Sequence, residues 1–212
     1  MHKDGHVGLT LLIFSIVYHF CNTWNEKFIE TLLIALAFSV IPDYDLKIQK
    51  LGLKRQFKSL AIVFTFVSLT TFVSYGILTK LYLLYVATFS ASLAILFLFL
   101  FAMSEHRMFS HTVFFGLICG VFAGFFTLKV FRDFYIGFYG AFFGVILHIL
   151  GDLLTYTPFS PFYPILKRKL SLKLFKSSNQ IVNKILLITG LIAFVLLYQN
   201  GTVLKLALNY AR

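Results

Sequence analysis

Hydrophobic positions along this chain fall in long unbroken runs, not in the alternation of a half-buried strand. Intervals free of Asp, Glu, Lys and Arg cover residues 5–25, 31–42, 59–79, 81–104, 108–128, 134–151 and 185–204. All but the second approach the roughly 20 residues that a helix needs to cross a bilayer. The pattern predicts an all-α, polytopic transmembrane bundle of about seven spans, with residues 1–212 forming one integral membrane domain. The second run reaches a usable length only if Phe28 through Asp43 belong to it and Glu30 sits at headgroup level. An outer-membrane barrel is disfavoured, because its strands would alternate. The first run leads into Tyr18, His19, Cys21 and Trp24 without a small-x-small cleavage site, so it is expected to stay attached.

Composition agrees with the pattern. The chain is 59% hydrophobic and 13% charged, with a mean hydropathy of +0.86, and so has too little polar surface to clothe a water-soluble domain. Charge then gives orientation. With seven spans, thirteen Lys and Arg residues fall on the face that receives the N-terminus and the segments 43–58, 103–110 and 152–184, against six on the other. Basic residues near span ends are retained inside, which predicts a cell (inner) membrane protein with N-terminus cytoplasmic and C-terminus outside. The formal charge of +11 reads as attraction to anionic headgroups. Nucleic acid is not an expected partner, because the basic residues hug span ends and no recognition motif accompanies them. Nothing in the pattern specifies an oligomer. Cys21 and Cys119 are too few for a disulfide framework.

The scarce ionisable residues gather in four blocks. They are His6 in Asp4-Gly5-His6, Asp43 and Asp45 after Pro42, the segment Glu105-His106-Arg107-Met108-Phe109-Ser110-His111, and His148 through Asp152. By the parity of the spans, all four meet at one membrane face. His148 and Asp152 are four apart on a helix, so both can face one cation. Asp43 and Asp45, two apart in an extended or turn segment, point the same way. His106 and His111 are splayed by roughly 140° on a continuous helix, and converge only if the helix starts between them, with Ser110 as its cap. Arg107 suits a phosphate or an oxyanion through its planar donors, or anchors in headgroups. Glu105 is a general base, a support for a ligating histidine, or a solvated residue. His2, at the terminus, and His19, toward the other face, are excluded.

His6, His106, His111, His148, Asp43, Asp45 and Asp152 together offer more donors than one structural zinc takes. A mixed nitrogen and oxygen set of this size fits a catalytic site for one or two divalent ions, zinc or manganese, that activate water and clamp a phosphoryl or ester oxygen.

The order Gly5-His6, Pro42-Asp43-Tyr44-Asp45, His106-Arg107-Met108-Phe109-Ser110-His111 and His148-Ile149-Leu150-Gly151-Asp152-Leu153-Leu154-Thr155 resembles the YdjM-like group of membrane-bound, metal-dependent hydrolases. The helical His-x-x-Gly-Asp element is also distantly similar to that of zinc-dependent phospholipase C and P1-type nucleases. This resemblance implies metal-dependent cleavage of a phosphoester, with a lipid as a candidate substrate. The chain departs from the group's pattern at Leu46, where a histidine is frequent, at Met108, where a glycine is frequent, and in 178–183, which lacks the acidic residue expected there.

The segment Thr155 to Lys184 carries Pro158, Pro161 and Pro164 interleaved with Phe159, Phe162 and Tyr163. Its prolines forbid a long helix, and it reads either as a lid guiding an anionic lipid or as an aromatic anchor. The leading expectation is a membrane-embedded hydrolase at the cytoplasmic leaflet, acting on a lipid or other amphipathic phosphoester or ester. The alternatives are a transporter or ion-conducting protein using the His/Asp cluster for coordination or proton relay, and a scaffold whose basic loops bind a partner.

Overall fold

A computed structural model describes residues 1–21, 26–43 and 109–210. Among them the chain is helical. The elements are α1 (Lys3–Cys21), α2 (Glu26–Phe38), a 3-10 turn (Ile41–Asp43), α3 (Val113–Val130), α4 (Phe134–Leu153) and α5 (Gln180–Tyr210). The described residues contain no strand, only isolated bridges pairing Thr155 with Phe175 and Phe159 with Leu170. The expected spans 59–79 and 81–104 lie outside the described residues.

The all-helical expectation holds, but the count of seven spans is not supported. Among the described residues, α4 alone is long and apolar enough to cross a bilayer. The apolar stretches Val113–Leu128 and Gln180–Leu196 are shorter. The 13 residues of α2 rise only about 20 Å, less than the roughly 30 Å of a hydrocarbon core. Local chemistry stops it there: Ser39 Oγ donates back to the Leu36 carbonyl at 2.8 Å, and Pro42, which has no N–H, sits in the 3-10 turn.

Helix α4 is the centre of the assembly, packed against α1, α2 and α3. On one side Ala141, Val145 and Ile149, spaced four apart, meet Phe115, Cys119 and Ala123 of α3. On another, Leu147 joins Leu11 and Phe14 of α1 with Leu32 and Ala35 of α2. Its outward face carries Tyr135, Tyr139 and Phe143, all exposed, as suits a helix bathed in lipid. The turn from α3 to α4 is tight, with Arg132 at φ 56 and Asp133 accepting from Tyr135 N at 2.9 Å as the N-cap. Lys27 of α2 pairs with Asp133 at 2.8 Å, and this ion pair with the amide bond holds the Asp133 carboxyl below its usual range.

Helices α1 and α5 touch backbone to backbone. A Cβ on Gly8 would lie 2.4 Å from the Leu186 carbonyl carbon, and one on Gly190 would lie 2.3 Å from the Gly8 oxygen. Small residues at such a crossing let apolar helices gain close packing that lipid cannot replace. Gly8→Leu is therefore expected to part the two helices and destabilise the fold by about 1–3 kcal/mol. A lowered midpoint of thermal unfolding in detergent checks this, with Ile16→Leu, at an exposed position of the same helix, expected to leave the midpoint unchanged.

Candidate metal centre

Five side chains from four separate segments meet at one end of the helices. His6 lies near the start of α1, Asp43 ends the 3-10 turn, His111 shortly precedes α3, and His148 and Asp152 close α4. The His6 and His111 side chains and both groups on α4 are fully buried, whereas the Asp43 side chain keeps 17% of its surface.

The imidazoles point their Nε2 atoms at the carboxylates. His6 Nε2 stands 3.5 Å from Asp152 Oδ1 and 3.9 Å from Asp43 Oδ2. His111 Nε2 stands 3.3 Å from Asp152 Oδ2 and 3.8 Å from Asp43 Oδ1. For His148 Nε2 the separations are 3.8 Å and 3.9 Å from the same two oxygens. The rings of His6 and His148 stack at 3.8 Å, so two imidazolium charges there would repel. The Met1 amino group also bonds Asp152 Oδ1, while Oδ2 faces His111 and His148.

The tautomer of His148 is fixed by its surroundings. Its Nδ1 lies 2.8 Å from the Ser39 carbonyl oxygen, which can only accept, so the proton is on Nδ1. Nε2 then presents a lone pair, buried and without a hydrogen bond among the described residues, to two carboxylates. A lone pair facing anions in a dry site is unfavourable unless a cation lies between them. An N–H on the far nitrogen given to a backbone carbonyl is how ligating histidines are held. His111 is steadied in a similar way by Ser110 Oγ, 3.0 Å from its Nδ1.

The donor set fits a divalent cation. The ligand atoms of His6, Asp43 and His148, and those of His111, His148 and Asp152, form two groups each within 4.8 Å. Two ligands about 2.1 Å from a zinc ion at the tetrahedral angle stand about 3.4 Å apart, close to the 3.3–3.9 Å separations here.

The YdjM inner membrane protein family matches residues 1–211. The chain belongs to that family. No curated protein matches it, and no solved structure does. The family carries the membrane location with it, and the resemblance read from the four blocks is borne out as far as the YdjM family. The further likeness to phospholipase C and P1 nucleases finds no support in these comparisons.

For this YdjM-family chain, the site residues expected from sequence divide cleanly. His6, Asp43, His111, His148 and Asp152 come together, while Asp45, Glu105, His106 and Arg107 lie outside the described residues. His2 is exposed and His19 lies in the last turn of α1, away from the cluster. One local expectation is corrected. Thr112, not Ser110, caps α3: its Oγ1 accepts from Phe115 N at 3.1 Å, its backbone is extended, and the Ser110 hydroxyl is engaged by the His111 ring. His111 thus precedes the helix instead of lying in its first turn.

Three contributors were not anticipated. The Ser39 carbonyl orients His148, but a backbone acceptor has no residue signature. Phe159 is buried with its ring 6.1 Å from that of His111. Asn183 is also buried, with Oδ1 accepting from His2 N at 3.2 Å and Nδ2 donating to the Asn179 and Ser177 carbonyls. It occupies the region where an acidic residue was expected, and its seat against Gly5 was hidden in a polar stretch.

Burial pushes the Asp43 carboxyl up, but the neighbouring His111, His148 and His6 outweigh it and hold it below the usual carboxylate range. Because the folded value is depressed, the stability Asp43 contributes is present above the ordinary range near pH 4 and lost as pH falls through the folded value. Asp43→Asn should flatten the acid limb of the stability profile of metal-free protein below about pH 4, a change read by thermal unfolding across pH.

Proposed function

We propose that this protein is a metal-dependent hydrolase of the inner membrane, cleaving a phosphoester or other ester in a lipid or similar amphipathic molecule. The observation that carries the reading is the His148 Nε2 lone pair, locked by Ser39 and aimed with His6 and His111 at the Asp43 and Asp152 carboxylates. In the proposal, these five side chains hold one divalent cation, zinc or manganese, with Asp45 or His106 completing the set if a second ion is present. When bound, such a cation supplies Lewis acidity toward a phosphoryl or ester oxygen and lowers the pKa of water toward neutrality.

The protein's own groups define the rest. Four of the five side chains are dry and Asp43 alone meets water, so substrate approaches from the Asp43 side. Arg107, just before the described segment that carries His111, is assigned to the developing negative charge, and Glu105 to proton transfer. A cleft of about 400 Å³, lined by His2, Lys3, Asp4, Gln180, Asn183 and Lys184, adjoins the first turn of α1.

The proposed topology is multi-pass, with N-terminus and site cytoplasmic and C-terminus outside. The direction of the described helices supports it: α1, α3 and α5 start near the cluster, and α2 and α4 end there. Collection of the donors at helix ends favours surface chemistry over the midplane site of a transporter.

Metal analysis of the purified protein is the test. About one equivalent of zinc or manganese per chain is expected, falling to near zero in His148→Ala and Asp152→Ala variants that keep their helical circular dichroism. Hydrolysis of a fluorogenic phosphodiester lipid should drop by more than about 100-fold on chelation or in either variant, beyond the roughly 10–100-fold typical of outer partners. A metal-free parent protein, or variants that retain parental metal, would exclude the reading.

A further inference from the structure

We infer that the connection between α4 and α5, which packs against His111 through Phe159, is a binding surface for anionic lipid, independent of the hydrolase reading. The connection is ordered, with its base pinned to the end of α4. Leu172 N donates to the Leu153 carbonyl at 2.7 Å and Leu174 N to the Leu154 carbonyl at 2.9 Å, while Phe159 and Leu170 exchange backbone bonds at 3.2 and 2.8 Å. Pro161 O accepts from Val113 N at 2.9 Å, tying the same segment to the start of α3. Phe159 faces inward beneath it, 2% exposed and against His111.

This frame holds apolar side chains outward. Ile165 is 84% exposed, Leu174 64%, Leu166 57% and Leu172 56%. Interleaved with them, Lys167, Arg168, Lys169, Lys173 and Lys176 are all exposed, and residues 154–179 contain no Asp or Glu. Apolar side chains displayed outward on a hydrogen-bonded frame mark an interaction surface. The occupant follows from charge and place. The segment begins where the apolar helix α4 ends at Leu153, the level of the headgroups for a helix that crosses. There, apolar tips enter the acyl boundary while ammonium and guanidinium groups meet phosphates. Nucleic acid would use the charges but has no place for Ile165 and Leu166.

The experiment places a single indole on the full-length protein: Ile165→Trp in a Trp24→Phe background, reconstituted in phosphatidylcholine vesicles with or without phosphatidylglycerol, without substrate. The inference expects blue-shifted emission, quenched by lipids brominated near the carbonyl, and stronger with phosphatidylglycerol. Lys167→Gln, Arg168→Gln and Lys169→Gln together should lose that anionic enhancement, each charge being worth roughly five-fold in the bound-to-free ratio. Emission of a water-exposed indole in both vesicles would overturn it. So would a shift without bromine quenching, which would mean that protein covers the surface, or reversal of the quenching by an added oligonucleotide, which would give the surface to nucleic acid. Failure of hydrolysis or of metal binding leaves this readout untouched, so the two readings fall separately.

Discussion

The described fold turns on one buried imidazole. His148 gives its only proton to the Ser39 carbonyl, and this commits three elements at once: α4, which carries the ring, the turn after α2, which supplies the acceptor, and the 3-10 turn that brings Asp43 to the other nitrogen. Remove the ring and the Ser39 carbonyl loses its donor while both carboxylates lose a facing imidazole. Burying such groups is costly unless each is paired. The compensation lies in the ring of opposed donors, with His6 and His111 each within 3.9 Å of both carboxylates.

Packing sets how accurately those donors meet. The helices approach through small residues. Gly144 of α4 leaves a Cβ only 2.5 Å from the Ala35 oxygen of α2, and Gly151 is overlaid by the His6 ring itself, whose Nδ1 would lie 2.9 Å from an added Cβ. The site glycine in His148-Ile149-Leu150-Gly151-Asp152 thus makes room for a third donor from another helix. The spacing in that block is a packing requirement as much as a coordination one. Because α1 is fixed by Gly8 against α5, the position of His6 depends on a helix that contributes no donor.

Legibility in the sequence followed the range of the interaction. Each described member of the cluster was visible, because an ionisable group in an apolar chain is conspicuous, but the parity that put them at one face rested on a count of seven spans that the described residues do not support. The centre of α4 was equally plain, since residues 134–151 carry no charge. What escaped was set by backbone atoms or by competition between near neighbours. Ser110 and Thr112 are both good caps, and only the His111 ring, which takes the Ser110 hydroxyl, decides between them. The length of α2 escaped for a similar reason: Ser39 folds its hydroxyl back on the helix, a choice open to any serine in a run that is apolar on both sides. Asn183, polar and within a basic connection, gave no hint that it would be buried against Gly5.

The choice between one cation and two turns on distance, not on the number of candidate residues. Seven donors on paper invite a pair of ions, but two-metal sites hold their ions about 3.5–4 Å apart, and a donor shell around two centres has to spread accordingly. Here the described donors form two overlapping groups that share His148, one with His6 and Asp43 and one with His111 and Asp152, each within 4.8 Å. Two carboxylate charges stand against the Met1 ammonium as well as a divalent cation, so opposite charges stay close together in the site, as burial demands. Asp43 is the partly exposed member of the cluster, and Asp45 and His106, the other candidate ligands in the sequence, lie outside the described residues. The proposed centre therefore holds one ion, or two that share His148, with its partly exposed side at Asp43.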